Sequence, residues 1–326
     1  VLDLEPHADA DAYLERRAEL GHAEVTGRFL RAAGLSALCV DTGFEPEPLL
    51  SPRQLGEAAG ASSYEIVRLE QAAEQAALTT TAAGFADAVR ESLSQRARSA
   101  VGFKSIAAYR HGLALAGQRP SDAEVRIATG RWLSREEEAG KASQNGDARS
   151  PLRLDDETLH RFLIWCAVDL GLPIQFHVGY GDADVNLERC DPLLLTDLLR
   201  AIEPTGVPVL LLHNYPFHRQ AGYLAQVFAN VFLDVGLATH NLGRASRTLI
   251  AEALELAPFG KFLYSSDAFG LPELYHLGAL LFRRGLAAFL DSGIEEDAWT
   301  AADAARVARL IGSQNARRVY RLTPTG

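Results

Sequence analysis

Methionine is absent from this chain of 326 residues, which starts at Val1. A natural chain starts from methionine, so two readings stay open: residues upstream of Val1 are lost, or internal methionines have been dropped. Cysteine is nearly as scarce. Cys39, Cys166 and Cys190 are odd in number and widely spaced, which excludes a disulfide framework and a paired-cysteine metal knuckle. A reducing cytoplasm is the expected location. No apolar run reaches the ~18–20 residues that span a bilayer, and no signal-peptide pattern opens the chain, so no membrane partner is expected. Positive charge is in deficit, with 32 Lys and Arg against 42 Asp and Glu, a net charge of −10 and a pI near 5.4. Binding to nucleic acid needs a basic patch, and this balance argues against one.

The rest of the composition, 48% hydrophobic and 23% charged, is that of an ordinary globular protein. Seven short apolar runs read as strands: 35–41, 64–70, 101–108, 173–178, 207–213, 230–236 and 261–266. Helical periodicity fills 82–98, 155–170, 191–202 and 245–256 between them. Strands alternating with helices at this spacing predict a parallel sheet with helical crossovers, α/β in class. Helix starts are marked by Ser51-Pro52 ahead of Gln54 and by Asp155 ahead of Thr158. The length suits one (β/α)8 TIM barrel, a fold of roughly 250 residues or more. The expectation is a single domain over 1–326 with an insert at about 117–151, made of a polar helix over 122–141 and a loop over 142–151. Residues 1–33 read as polar and helical, so the strand missing from eight is the first.

Three of the runs end in a metal-ligand side chain. Pro-Ile-Gln-Phe-His-Val delivers His177, Val-Leu-Leu-Leu-His-Asn delivers His213, and Phe-Leu-Tyr-Ser-Ser-Asp delivers Asp267. In a barrel the C-terminal strand ends gather at one mouth. Two imidazoles and a carboxylate meeting there can hold a divalent metal. Lys104, one of three lysines, follows an apolar Val-Gly-Phe run; strand alternation separates it from Phe103 and turns it inward, toward the mouth. Glu70 closes the 64–70 run and Arg110 follows the 101–108 run.

Longer stretches carry a resemblance. They are Val40-Asp41-Thr42-Gly43, Arg68-Leu69-Glu70, Gly102-Phe103-Lys104-Ser105-Ile106 with Ala108-Tyr109-Arg110, and Gln175-Phe176-His177-Val178-Gly179. Beyond them come Leu212-His213-Asn214-Tyr215-Pro216 with Arg219-Gln220-Ala221, Phe232-Leu233-Asp234-Val235, and Tyr264-Ser265-Ser266-Asp267. In this order the chain resembles the amidohydrolase superfamily in its amidohydrolase-2 branch, and looks most like the barrel domain of FluG-type proteins. The resemblance implies a divalent metal, zinc by expectation, with His177 and His213 as ligands and Asp267 as both ligand and catalytic base. It also implies a His-x-His pair at the end of the first strand, and this chain has no His-x-His anywhere. In some branches a lysine after the fourth strand is carboxylated and bridges two metals, which gives Lys104 a second reading.

Every candidate has a plainer alternative. A strand-end histidine can satisfy its ring with a backbone carbonyl, and Asp267 can cap the next turn. Lys104 can pair with Glu70 or another acid of the barrel, and Glu70 can line the site or serve as a structural partner. Arg110 can bind a substrate carboxylate through its planar fork, or make a surface ion pair. His218, Arg219 and His240 fall in loops and read as solvated, and Trp132, Trp165 and Trp299 as packing. The reading that joins these residues is a metal-dependent amidohydrolase acting on a carbon–nitrogen bond of a small molecule. Its alternatives are a non-oxidative decarboxylase, or a metal-free barrel serving as a binding or assembly module. A homo-oligomer is also open.

Overall fold

The computed structural model describes residues 1–44, 49–142 and 152–322. Of the expected loop over 142–151, residues 143–151 lie outside them. The chain opens with α1 (Ala10–Ala33), bent at Gly21, and then enters β1 (Ala37–Asp41), α2 (Pro52–Ala59), β2 (Ser62–Arg68), α3 (Leu69–Ala77), α4 (Phe85–Arg96) and β3 (Gly102–Ser105). The expected polar helix is α5 (Asp122–Ala142); α6 (Glu157–Leu170) leads into β4 (Ile174–Val178), and α7 (Thr196–Ile202) into β5 (Val209–His213). After α8 (His218–Val227) come β6 (Val231–Leu233), α9 (Gly236–Asn241), α10 (Ser246–Ala253), α11 (Pro272–Glu295), α12 (Ala301–Arg309) and α13 (Asn315–Val319).

Among the described residues six strands pair in chain order, and every pairing is parallel. Helices cover the outer face, which is why β4 and β5 are buried at every position and read as continuous apolar runs. Val67, Phe103, Phe176 and Leu211 point out into the helical layer, with Phe85 and Trp132 packed in the same core. Ile66, Leu210, Leu212, Phe232 and Leu263 point inward. Tyr320 closes the N-terminal end of the curl, where its hydroxyl accepts a hydrogen bond of 2.7 Å from Gln175 Nε2. Ser51 forms a capping box with Gln54 as expected, while α6 is capped one residue later than expected, by Asp156.

Four strand expectations need correction: the 101–108 run ends at Ser105, ahead of a 3-10 turn over Ala107–Tyr109, and the 230–236 run ends at Leu233, with Gly236 already in α9. The 64–70 run stops at Arg68, because Leu69 and Glu70 already belong to α3. The 261–266 run is reduced to one bridge, Phe262 against Leu233. Its neighbour β6 ends at Leu233, so β6 offers residues 264–266 no partner. Among the described residues the sheet is a parallel curl that fits a barrel lacking strands, open between β1 and the Phe262 segment. α1 and α11 pack together alongside, joined by Arg17 Nε to Glu273 Oε1 at 2.6 Å. No helix among the described residues is long and apolar enough to cross a membrane.

Candidate metal centre

Asp41, Arg68, Lys104, His177, His213, Asp234 and Asp267 are brought to the C-terminal mouth of the curl by the ends of β1 to β6 and the Phe262 segment. All seven line one cavity of about 1450 Å³. The rings of His177 and His213 have centroids 4.7 Å apart, and His213 Nδ1 lies 3.5 Å from Asp267 Oδ2. The three ligand candidates therefore converge at one end of the sheet. His177 Nε2 and both ring nitrogens of His213 are buried without a hydrogen-bond partner.

Burial holds both histidines well below their ordinary pKa. For His177 the neighbouring His213 and Lys104 add to it, and for His213 Lys104 does. Two neutral imidazoles with free lone pairs beside a carboxylate fit the ligand chemistry of a divalent cation with an open position. Among the described residues, no three His, Cys, Asp or Glu side chains are gathered tightly enough to enclose an ion as they stand.

Lys104 turns inward, and its Nζ lies 3.2 Å from Asp41 Oδ2. The same oxygen accepts from Arg68 Nη2 at 2.5 Å, and Asp41 Oδ1 accepts from the Gly43 backbone at 2.9 Å. Burial alone would raise the Asp41 pKa, but Lys104 and Arg68 outweigh it and bring the carboxyl down to about 2. The partner of Lys104 is thus Asp41, not Glu70. Glu70 is fully buried behind the sheet, outside the cavity lining. Its Oε1 accepts from Ser105 Oγ at 2.7 Å and from the Ile106 backbone at 3.0 Å, with His160 Nδ1 at 3.3 Å. Glu70 therefore pins the turn after β3, which carries Tyr109 and Arg110.

Arg110 lines the cavity, with Nη2 3.5 Å from Glu74 Oε1 and Nε unpartnered. Burial lowers its pKa. Tyr109 packs against His177 with the rings tilted and centroids 4.4 Å apart, and burial raises its phenol pKa, so it stays a donor. Gly181 closes over this pair; a Cβ there would come within 2.0 Å of the Tyr109 hydroxyl. Asp234 is buried at the cavity wall, where burial raises its carboxyl to about 6 against the pull of two backbone N–H donors.

His218 and His240, expected in solvent, are both buried in helices: His218 Nε2 meets Glu252 Oε2 at 2.8 Å, and His240 sits under α11. Arg219 is an exposed ion pair with Glu255. Trp132 is core packing, its indole donating to Arg153 O at 3.1 Å. Asp41 and Asp234 were missed as site residues. Their signal was the one that gave His213, an apolar run ended by an ionisable group (Leu-Cys-Val-Asp and Val-Phe-Leu-Asp).

Against known proteins, the sequence profile described as amidohydrolase matches residues 41–322. FluG of Emericella nidulans is 32% identical over 233 residues, 68% of this chain and 26% of FluG, so the chain spans about a quarter of that relative. A crystal structure assigned to a metal-dependent hydrolase from Lactobacillus casei ATCC 334 superposes with a TM-score of 0.83 at 33% identity, over 96% of this chain and 80% of that one. Glucuronate isomerase from Caulobacter crescentus superposes with a TM-score of 0.62 at 17% identity, over 97% of this chain and 71% of that one. At that identity the likeness concerns the fold alone.

Proposed function

The chain belongs to the amidohydrolase family, and from that premise we propose that it is a metal-dependent hydrolase cleaving an amide-like carbon–nitrogen bond of a small molecule. The meeting of His177, His213 and Asp267 at one mouth carries this reading. The curled sheet is read as part of a (β/α)8 barrel, whose C-terminal mouth is where such sites sit. His177, His213 and Asp267 would hold the cation, which we assign as zinc from the nitrogen and oxygen donor set. When bound, a divalent cation acidifies water and polarises a carbonyl oxygen.

The remaining work falls to the chain's own groups. Burial keeps His177 and His213 as neutral donors. Asp267 takes the proton of the attacking water and returns it to the leaving nitrogen, as the carbon–oxygen bond forms and the carbon–nitrogen bond breaks. Arg110, with its free Nε, binds a carboxylate on the substrate. Lys104, paired with Asp41, supplies positive charge at the mouth instead of a metal bridge.

The test measures zinc content by mass spectrometry, and amine, ammonia and CO2 release from a panel of small N-acyl and amide substrates. Wild type should carry metal and release amine or ammonia. Asp267→Asn should lower kcat by about 10²–10⁴-fold. Release of CO2 in place of amine, or a wild type that takes up no metal, would overturn the reading.

A further inference from the structure

Where β5 ends, the backbone takes a conformation that its side chains resist. His213 and Asn214 have φ of 71° and 61° in succession. Residues other than glycine avoid this left-handed region because Cβ crowds the following carbonyl oxygen. Two such residues side by side need external support.

Two buried side chains supply it. Asn214 is wholly buried, and its Nδ2 donates to Leu211 O at 2.6 Å and to Asp234 O at 2.8 Å. Asp234 is also buried, and its Oδ1 accepts from the backbone N–H of His213 at 2.9 Å and of Gly236 at 3.0 Å. The carboxamide thus ties the turn to β6, and the carboxylate ties β6 back to the turn. The backbone extends the brace to β4: Asn214 N–H donates to Val178 O at 3.2 Å, and Tyr180 N–H to Tyr215 O at 2.8 Å. Gly179 allows that approach, since a Cβ there would lie 2.3 Å from Tyr215 O. The ends of three strands are locked around one peptide unit, and the ring it carries is the one beside His177.

We propose that Asn214 and Asp234 are positioning residues, which hold the left-handed turn so that the His213 imidazole faces the cavity next to His177. The consequence for metal binding rests on the function proposed above; the ring's position does not. Asp234 acts on His213 through its backbone N–H, and Asn214 through the strand ends on either side.

The test uses the whole chain and four variants: Asp234→Asn, which keeps the Oδ1 acceptor, Asp234→Ala, Asn214→Ala, and Asn214→Gly. Glycine tolerates the left-handed backbone but loses both donations. Two readouts are taken, Co²⁺ affinity with its visible absorption spectrum, and the imidazole resonances of His213 in protein with labelled histidine. Asp234→Ala, Asn214→Ala and Asn214→Gly should weaken Co²⁺ binding by about 10–100-fold and shift the His213 resonances, as loss of an outer-sphere support does. Asp234→Asn should hold both near wild type. Should either alanine variant fail to fold, Asn214→Gly against Asp234→Asn decides the question. Wild-type affinity and unmoved resonances in Asn214→Gly would overturn the proposal. A wild type that binds no Co²⁺ would remove the metal reading, and the His213 resonances would still judge the brace.

Discussion

His177 and His213 are both kept neutral by burial, and this ties stability to pH. An unfolded histidine titrates near 6.5, so below that value the unfolded chain binds protons that the folded rings refuse. Stability is then lost as pH falls through about 6.5, at up to about 1.4 kcal/mol per ring per pH unit. Asp234 works the other way: its carboxyl is raised to about 6, so its protonation favours the folded state below that value. Above it the histidines prevail, with His111 and His240 lowered by burial in the same sense, and Tm should fall as pH is lowered from about 7.5 to about 6. His213→Asn should flatten that slope, and a wild-type Tm that rises over the window would show that the rings are charged in the folded state. Asp41 makes a second prediction at this scale. Its removal leaves Arg68 and Lys104 with no carboxylate between them, and Asp41→Ala should cost about 3–5 kcal/mol in chemical denaturation. A loss under about 1 kcal/mol would mean that solvent already screens the trio.

At the scale of elements, Ser51 closes α2 with a capping box, and Ser51→Ala should cost about 1 kcal/mol by thermal unfolding, with Ser51→Asp near neutral. This cap was legible in the sequence because capping is local: the partner sits three residues away. The strands were legible for a related reason, since a sheet buried on both faces, as at β4 and β5, draws apolar residues to nearly every position. The ends of elements were harder. Leu69 completes an apolar run and also begins a helical stripe, so the sequence around Glu70 supports both periods, and the helix wins once Leu69 and Ala73 pack in the core. His177, His213 and Asp267 stood out because each interrupts an apolar context. His218 and His240 did not, because their burial comes from α10 and α11, remote in sequence, packing over α8 and α9.

For the molecule as a whole the open seam matters most. Thr42 N–H donates to Ile66 O at 3.3 Å, and Ser36 O accepts from Ser62 N–H at 3.3 Å, so even-numbered residues of β1 bond to β2. Alternation turns the N–H groups of Ala37, Cys39 and Asp41 toward the seam. Hydrogen exchange should therefore alternate along β1, with the Cys39 and Asp41 amides exchanging faster than those of Leu38 and Val40. Uniform protection would mean that another strand fills the gap. The seam also has a mechanical meaning. A closed ring of strands is a hoop, in which every strand resists the displacement of any one. Cut once, the hoop becomes an open band with two tips. Asp41 rides on one tip and Asp267 on the other, beyond the last paired residue, Leu263. α1 leads into the first tip and α11 leads away from the second, and the Arg17–Glu273 pair joins the two helices.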